Sequence, residues 1–193
     1  MFPPCRVTGG FVLLTAWFFL ANGWEPLAIV LAAAAVHELG HWIVLRSLGA
    51  KVTGFCLSAL GAVLETNSGR LSYGGELAAV LAGPAANLLA ASALAVWGGG
   101  HCPAAIGANL VLCLFNLLPI RPLDGGRALY LLVSWLAGPA AGERAAHWTG
   151  AVAASALAAG IAYVIWRTGG SLWLFPALCA SVYWGMRSGY SPC

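Results

Sequence analysis

The chain has 193 residues, of which 61% are apolar and 8% charged, with a formal net charge of +3. Soluble domains run near ~45–50% apolar and ~25% charged, so the composition excludes an ordinary water-soluble domain and points to an integral membrane protein. The apolar runs are long and rich in alanine and leucine, which excludes a barrel built from ~10-residue segments of alternating polarity.

Six membrane-spanning helices of ~20 residues are expected in chain order. The first runs from Gly10 to Asn22 and extends backward toward Val7. Arg6 followed by an apolar run resembles a signal peptide, but no A-x-A site follows and further apolar segments do, so it reads as a helix that stays. Asn22 to Pro26 ends it, and Pro26 suits the first turn of the next helix. The second span runs to Leu48 and the third from Glu76 to Trp97, with Gly83-Pro84 expected to kink it. A fourth starts at Pro103, a fifth covers Trp148 to Trp166 and a sixth Leu172 to Met186. Trp97, Trp148, Trp166 and Trp184 fall near helix ends, where interfacial tryptophans are favoured. The six cysteines form no C-x-x-C pair and read as small apolar residues.

With the N-terminus in the cytosol, the inner face receives Arg6, Arg46, Lys51, Arg70, Arg121, Arg127, Arg144 and Arg187, and only Arg167 falls outside. Both termini are therefore expected in the cytosol of a multi-pass protein of a cell membrane, most simply a bacterial one. The net charge follows from this bias and gives no ground for a nucleic-acid partner. The fold class expected is an all-α polytopic bundle forming one domain over residues 1–193, with its functional core at about 24–137.

Val52 to Leu64, between the second and third spans, is apolar, β-tolerant and too short to cross, with Gly54 and Gly61 as candidate turn points. Two readings stand: a re-entrant hairpin or loop dipping into the membrane, where non-helical backbone must be buried in protein or line a wet cavity, and a cytosolic loop resting at the interface.

The second span carries His37-Glu38-Leu39-Gly40-His41, an H-E-x-x-H pattern. On a helix the two histidines lie one turn apart on one face, the spacing at which both imidazoles reach one zinc ion. Glu38 lies beside the ion without ligating it, placed to take a proton from the attacking water and pass it to a leaving amine. Counting back from Arg46, His41 lies ~7 Å and His37 ~13 Å deep at ~1.5 Å rise. Ionisable groups at such depth cost ~2.5–3.5 kcal/mol each on insertion scales, a cost that calls for a function.

A catalytic zinc site takes three protein ligands and leaves one position open. The acids are Glu25, Glu38, Glu65, Glu76, Asp124 and Glu143. Glu25 falls outside, Glu143 in a polar loop, Glu65 beside polar residues and Glu76 at the start of a span, which leaves Asp124. The fourth span, Pro103 to Leu118, is ~24 Å long and too short to cross. Pro119 and Pro122 break it, Gly125 and Gly126 permit a tight turn, and a helix restarts as Ala128 to Leu136. Such an unwound segment at membrane depth marks an ion or ligand site. Asn87 reads as an interhelical hydrogen-bonding residue. Asn116 reads either that way or as a holder of substrate or ligand.

H-E-L-G-H in the second span, then A-G-P-A-A-N-L-L, then N-L-L-P-I-R-P-L-D-G-G-R resembles the site-2 protease family of intramembrane zinc metalloproteases, and within it the six-span branch of stage IV sporulation protein FB. The likeness covers about Val30 to Arg127. It implies one Zn2+ held by His37, His41 and Asp124, with Glu38 as catalytic base. It also implies a membrane-embedded hairpin or loop near the substrate, here Val52 with Gly54 and Gly61, and a broken-helix asparagine near the active site, here Asn116. A nucleotide-sensing CBS domain and a PDZ domain, carried by various relatives, are not expected within this sequence.

The function implied is zinc-dependent cleavage of a transmembrane or membrane-associated protein near the cytosolic side, of the kind that releases a membrane-tethered transcription factor or pro-sigma factor in sporulation. The partners implied are the lipid bilayer, the substrate and a regulatory membrane protein. A metal-ion transporter and an inactive protease-like binding partner are the rival readings. The first calls for several polar residues through both halves of the bundle, of which the outer halves carry almost none, and the second is opposed by the intact Glu38.

Overall fold

A computed structural model describes residues 5–50, 52–58, 61–66, 71–98 and 101–168. The described residues form helices joined to one small sheet, and they fall into two compact units that divide between Asn116 and Leu117.

The first unit opens with β1 (Cys5–Val7), followed by α1 (Gly9–Asn22) and α2 (Trp24–Ser47). Val7 thus lies in a strand and not in a backward extension of the first helix. Pro26 does fall in the first turn of α2, where its missing N–H costs nothing. At 24 residues, α2 is about 36 Å long, enough to cross a bilayer. Its end is a left-handed cap. Gly49, at φ 76°, donates to Arg46 O, and Ala50 donates to Leu45 O. Leu45 and Ala50 then pack together with Ala79, sealing the turn with the apolar contact this cap favours.

That turn leads toward β2 (Val52–Ser58), which pairs antiparallel with β3 (Gly61–Thr66) and parallel with β1. The strand order is β1-β2-β3. Of the two glycines expected at turns, Gly61 begins β3 opposite Ser58, whereas Gly54 sits inside β2 where the register shifts. Among the described residues β2 is therefore flanked on both sides, with β1 and β3 at the edges of the sheet. A parallel partner supplied by residues some fifty positions earlier is an addition that the local sequence pattern does not announce.

α3 (Tyr73–Trp97) starts three residues earlier than expected because Ser72 caps it, its Oγ accepting from Gly75 N–H at 3.2 Å. Ala79, Val80, Gly83, Pro84, Asn87 and Ala91 are buried along it, a helical stripe that faces α2 and α4 (Pro103–Asn116). Gly40 of α2 permits the close α2–α3 approach: a Cβ there would lie 2.5 Å from Ala82 O and 2.7 Å from Ala86 Cβ.

The second unit begins with an irregular segment, residues 117–123, and continues as α5 (Asp124–Ala137) and α6 (Pro139–Thr168). The restarted helix begins at Asp124, four residues before the expected Ala128. Gly125 and Gly126 are therefore helical, and their lack of side chains serves packing. A Cβ on Gly125 would run into the Leu117 and Leu118 carbonyls, and one on Gly126 would sit 2.7 Å from Ile120 O and 2.8 Å from Arg121 N. The irregular segment folds over the start of α5, and Ile120 and Leu123 pack with Ala154 of α6. Arg121 lies over the Tyr130 ring at 5.1 Å and pairs with Glu143 at 2.9 Å. Glu143 belongs to α6, which starts nine residues before the expected Trp148. Gly138 at φ 89° and Pro139 in the first position form its entry.

Among the described residues three helices are long and apolar enough to cross a membrane, Trp24–Ser47, Tyr73–Trp97 and Pro139–Arg167, and Gly9–Asn22 and Pro103–Asn116 are shorter apolar helices. The expected sixth span, Leu172 to Met186, lies outside the described residues.

Candidate metal centre

The four-residue spacing of His37 and His41 puts both rings on the side of α2 that faces α3. Their centroids are 4.7 Å apart and their planes near perpendicular, at 80°. His37 is buried and His41 half-buried. Each ring is held through Nδ1 by an oxygen on α3. His41 Nδ1 donates to Ala79 O at 2.8 Å, and His37 Nδ1 donates to Asn87 Oδ1 at 2.6 Å. A carbonyl oxygen only accepts, so Nδ1 carries a proton, and in the neutral imidazole Nε2 is then the lone pair.

The two Nε2 atoms face one another at 3.1 Å. Two lone pairs at that separation repel, and a cation between them removes the repulsion. Tetrahedral zinc with Zn–N bonds of ~2.05 Å would set two nitrogens ~3.3 Å apart, close to the observed spacing. The donor set and its geometry thus fit a zinc ion. Zn-ligating histidines ordinarily donate their second ring N–H to an oxygen in this way.

Gly83 of α3 faces the same point. A Cβ there would overlap His41 Nε2 and lie 2.8 Å from His37 Nε2, so a bare backbone keeps the space beside both ligand atoms open. Pro84 follows, and lacking an N–H it cannot bond the carbonyl of Val80, yet α3 continues unbroken around it. Glu38, next to His37 on α2, is half-buried.

Asn87 is fully buried at 0% exposure, and Asn109 of α4 is 5% exposed. Asn87 Nδ2 donates to Ala33 O at 2.9 Å and to Asn109 Oδ1 at 2.8 Å, while Asn109 Nδ2 donates to Ala105 O at 2.9 Å. Asn87 therefore does hydrogen-bond between helices, as its sequence setting suggests, but it also touches a ligand histidine. Asn109 and Gly83 are the residues that sequence reasoning passes over. The signal available for Gly83 and Asn87 was their four-residue spacing, which places them on one face.

In the second unit Asp124 is the first residue of α5, half-buried, at the helix end where a carboxylate is favoured. In the first, Asn116 ends α4 and spends its amide on Leu112 O at 3.0 Å, a bond within its own helix. Val52 and Gly54 lie on β2 and Gly61 on β3.

No family model matches the chain. Among curated proteins it is 34% identical over 131 residues to a candidate zinc metalloprotease of Mycobacterium tuberculosis, covering 62% of this chain and 33% of that protein. It is 31% identical over 121 residues to a zinc metalloprotease of Methanocaldococcus jannaschii, covering 58% and 35%. It is 30% identical over 129 residues to stage IV sporulation protein FB of Bacillus subtilis, covering 63% and 45%. The chain thus spans a third to less than half the length of these relatives. Among solved structures, the site-2 protease from Methanocaldococcus jannaschii superposes with a TM-score of 0.69 at 21% identity, covering 100% of this chain and 94% of the other, and so shares its fold.

Proposed function

We propose, for a chain that belongs to the site-2 protease family, a zinc-dependent endopeptidase that cleaves a transmembrane or membrane-associated protein substrate within the bilayer. The observation that carries the reading is the facing pair of Nε2 lone pairs 3.1 Å apart, each fixed by an oxygen on the far side of its ring. The residue types support it further: two imidazoles and a carboxylate are common zinc donors.

His37, His41 and Asp124 would hold the zinc, leaving one position open. Zinc bound there supplies Lewis acidity, which polarises a peptide carbonyl and lowers the pKa of water toward ~7. Glu38 takes the proton from the attacking water and delivers it to the amine nitrogen as the C–N bond breaks. Asn116 supports the substrate or the ligand set. A helical substrate hides its carbonyls in its own hydrogen bonds and must unwind to be cut. With β2 flanked on both sides, we place the unwound segment along the outer edge of β3, near Gly61, where backbone pairing would hold it extended.

In this reading six helices cross the membrane, the fourth being the interrupted pair α4 and α5. The termini and the cleavage site lie toward the cytosol, and a regulatory membrane protein controls access. The test is Glu38→Gln in the full chain, co-expressed with candidate single-span substrates. Zinc content should stay stoichiometric while product disappears. Cleavage that survives the substitution would remove Glu38 from its role, and metal transport without cleavage would replace the protease reading.

A further inference from the structure

The directions of the hydrogen bonds that Asn109 and Asn87 make toward His37 are set by two backbone carbonyls. Ala105 O can only accept, so the group of Asn109 that faces it is the amide nitrogen, and Asn109 Oδ1 points to Asn87. Ala33 O can only accept, so it too faces the nitrogen of Asn87, which leaves Oδ1 of Asn87 toward His37. Neither amide can be turned over without setting its oxygen against a carbonyl oxygen. Oδ1 of Asn87 then accepts, Nδ1 of His37 carries the proton, and Nε2 is the lone pair.

We infer that Asn87, braced by Asn109, is a positioning residue that selects the tautomer and orientation of His37. The inference rests on the zinc reading above and deepens it: α3 and α4 contribute to the metal centre through an asparagine relay, while α2 carries the ligands. His41 obtains the same tautomer from the backbone at Ala79 O, which no side-chain substitution removes. His37 depends on a side chain, so the two ligands differ in how they can be perturbed. A buried asparagine serving only to join helices would leave the ring nitrogen indifferent to its loss. Here the shortest bond it makes, 2.6 Å, is the one to the histidine.

The test uses the purified full chain in detergent, with zinc affinity read by competition against a chromogenic chelator and the His37 tautomer read by nitrogen NMR of labelled histidine in the zinc-free protein. Asn87→Leu keeps the volume and removes the acceptor. It should lower zinc affinity about 10–100-fold and add Nε2-protonated His37 to the spectrum. Asn109→Leu, which keeps the acceptor and removes its brace, should give an intermediate loss of affinity with a partial tautomer change, and it carries the test should Asn87→Leu not fold. His37→Ala is the control that removes the ligand itself. Parent-like affinity and a parent-like tautomer in these asparagine variants would overturn the inference while leaving the zinc reading intact. A parent chain that takes up no zinc would overturn the zinc reading, and the tautomer spectrum would still decide what Asn87 does to His37.

Discussion

Gly83 stands against the His41 ring with no side chain between them, and a methyl group added there would overlap Nε2 of His41. The contact explains why a glycine, which weakens a helix interior by about 0.5–1 kcal/mol relative to alanine, is placed in the middle of α3. We expect Gly83→Ala to lower zinc affinity at least about tenfold, the equivalent of ~1.4 kcal/mol, and to reduce cleavage in step. Gly107→Ala on α4, where a Cβ meets nothing within 4 Å, is the matched control and should bind zinc as the parent does. Chelator competition on both variants checks this.

Asp124→Asn should cut zinc content as well as activity, because an amide oxygen is a poorer zinc donor than a carboxylate. As the first residue of α5, Asp124 also interacts with the helix dipole, a contribution of about 0.3–1 kcal/mol. Thermal unfolding of the zinc-free chain isolates that smaller effect. Normal metal content in Asp124→Asn would remove the third ligand.

Substituting Gly125 tests the packing of residues 117–123 on α5. Gly125→Ala places a methyl group on the Leu117 and Leu118 carbonyls, neither of which is a flexible side chain that can move away. Overpacking of this kind costs about 1–3 kcal/mol. Lower thermal stability of the zinc-free protein should therefore appear first, and reduced metal uptake should accompany it.

Arg121→Ala should be mild by comparison. Its pair with Glu143 spans side chains 39% and 57% exposed, and exposed pairs contribute about 0–1 kcal/mol. The stacking on Tyr130 adds about 0.5–1 kcal/mol at a partly exposed site. A shift of that size in the unfolding midpoint, with zinc affinity unchanged, is the expected result.

The facing of the two histidine rings was legible in the sequence because a polar residue is conspicuous in an apolar helix, and the helical repeat alone puts positions 37 and 41 on one face. The interruption after Asn116 was legible from its prolines, although the glycines beyond it read as a turn when they serve close packing. Asn109 was not legible, since its partner Asn87 is 22 positions away and only the packing of α3 on α4 brings the two amides together. The sheet was half legible. Val52 to Leu64 reads as β-tolerant locally, but β1 is three residues long and is defined by a partner some fifty positions distant, so no periodicity marks it.

The left-handed cap at Gly49 ties the histidine helix to the sheet with only Leu48, Gly49, Ala50 and Lys51 between Ser47 and Val52. Leu48, Gly49 and Ala50 each donate a backbone hydrogen bond back into the end of the helix, and Ala50 is buried against Leu45. So short a tether leaves little slack. A guest peptide that tugs on the sheet would pull on the very helix that presents the imidazoles, making the joint at Gly49 the place where occupancy of one is felt by the other.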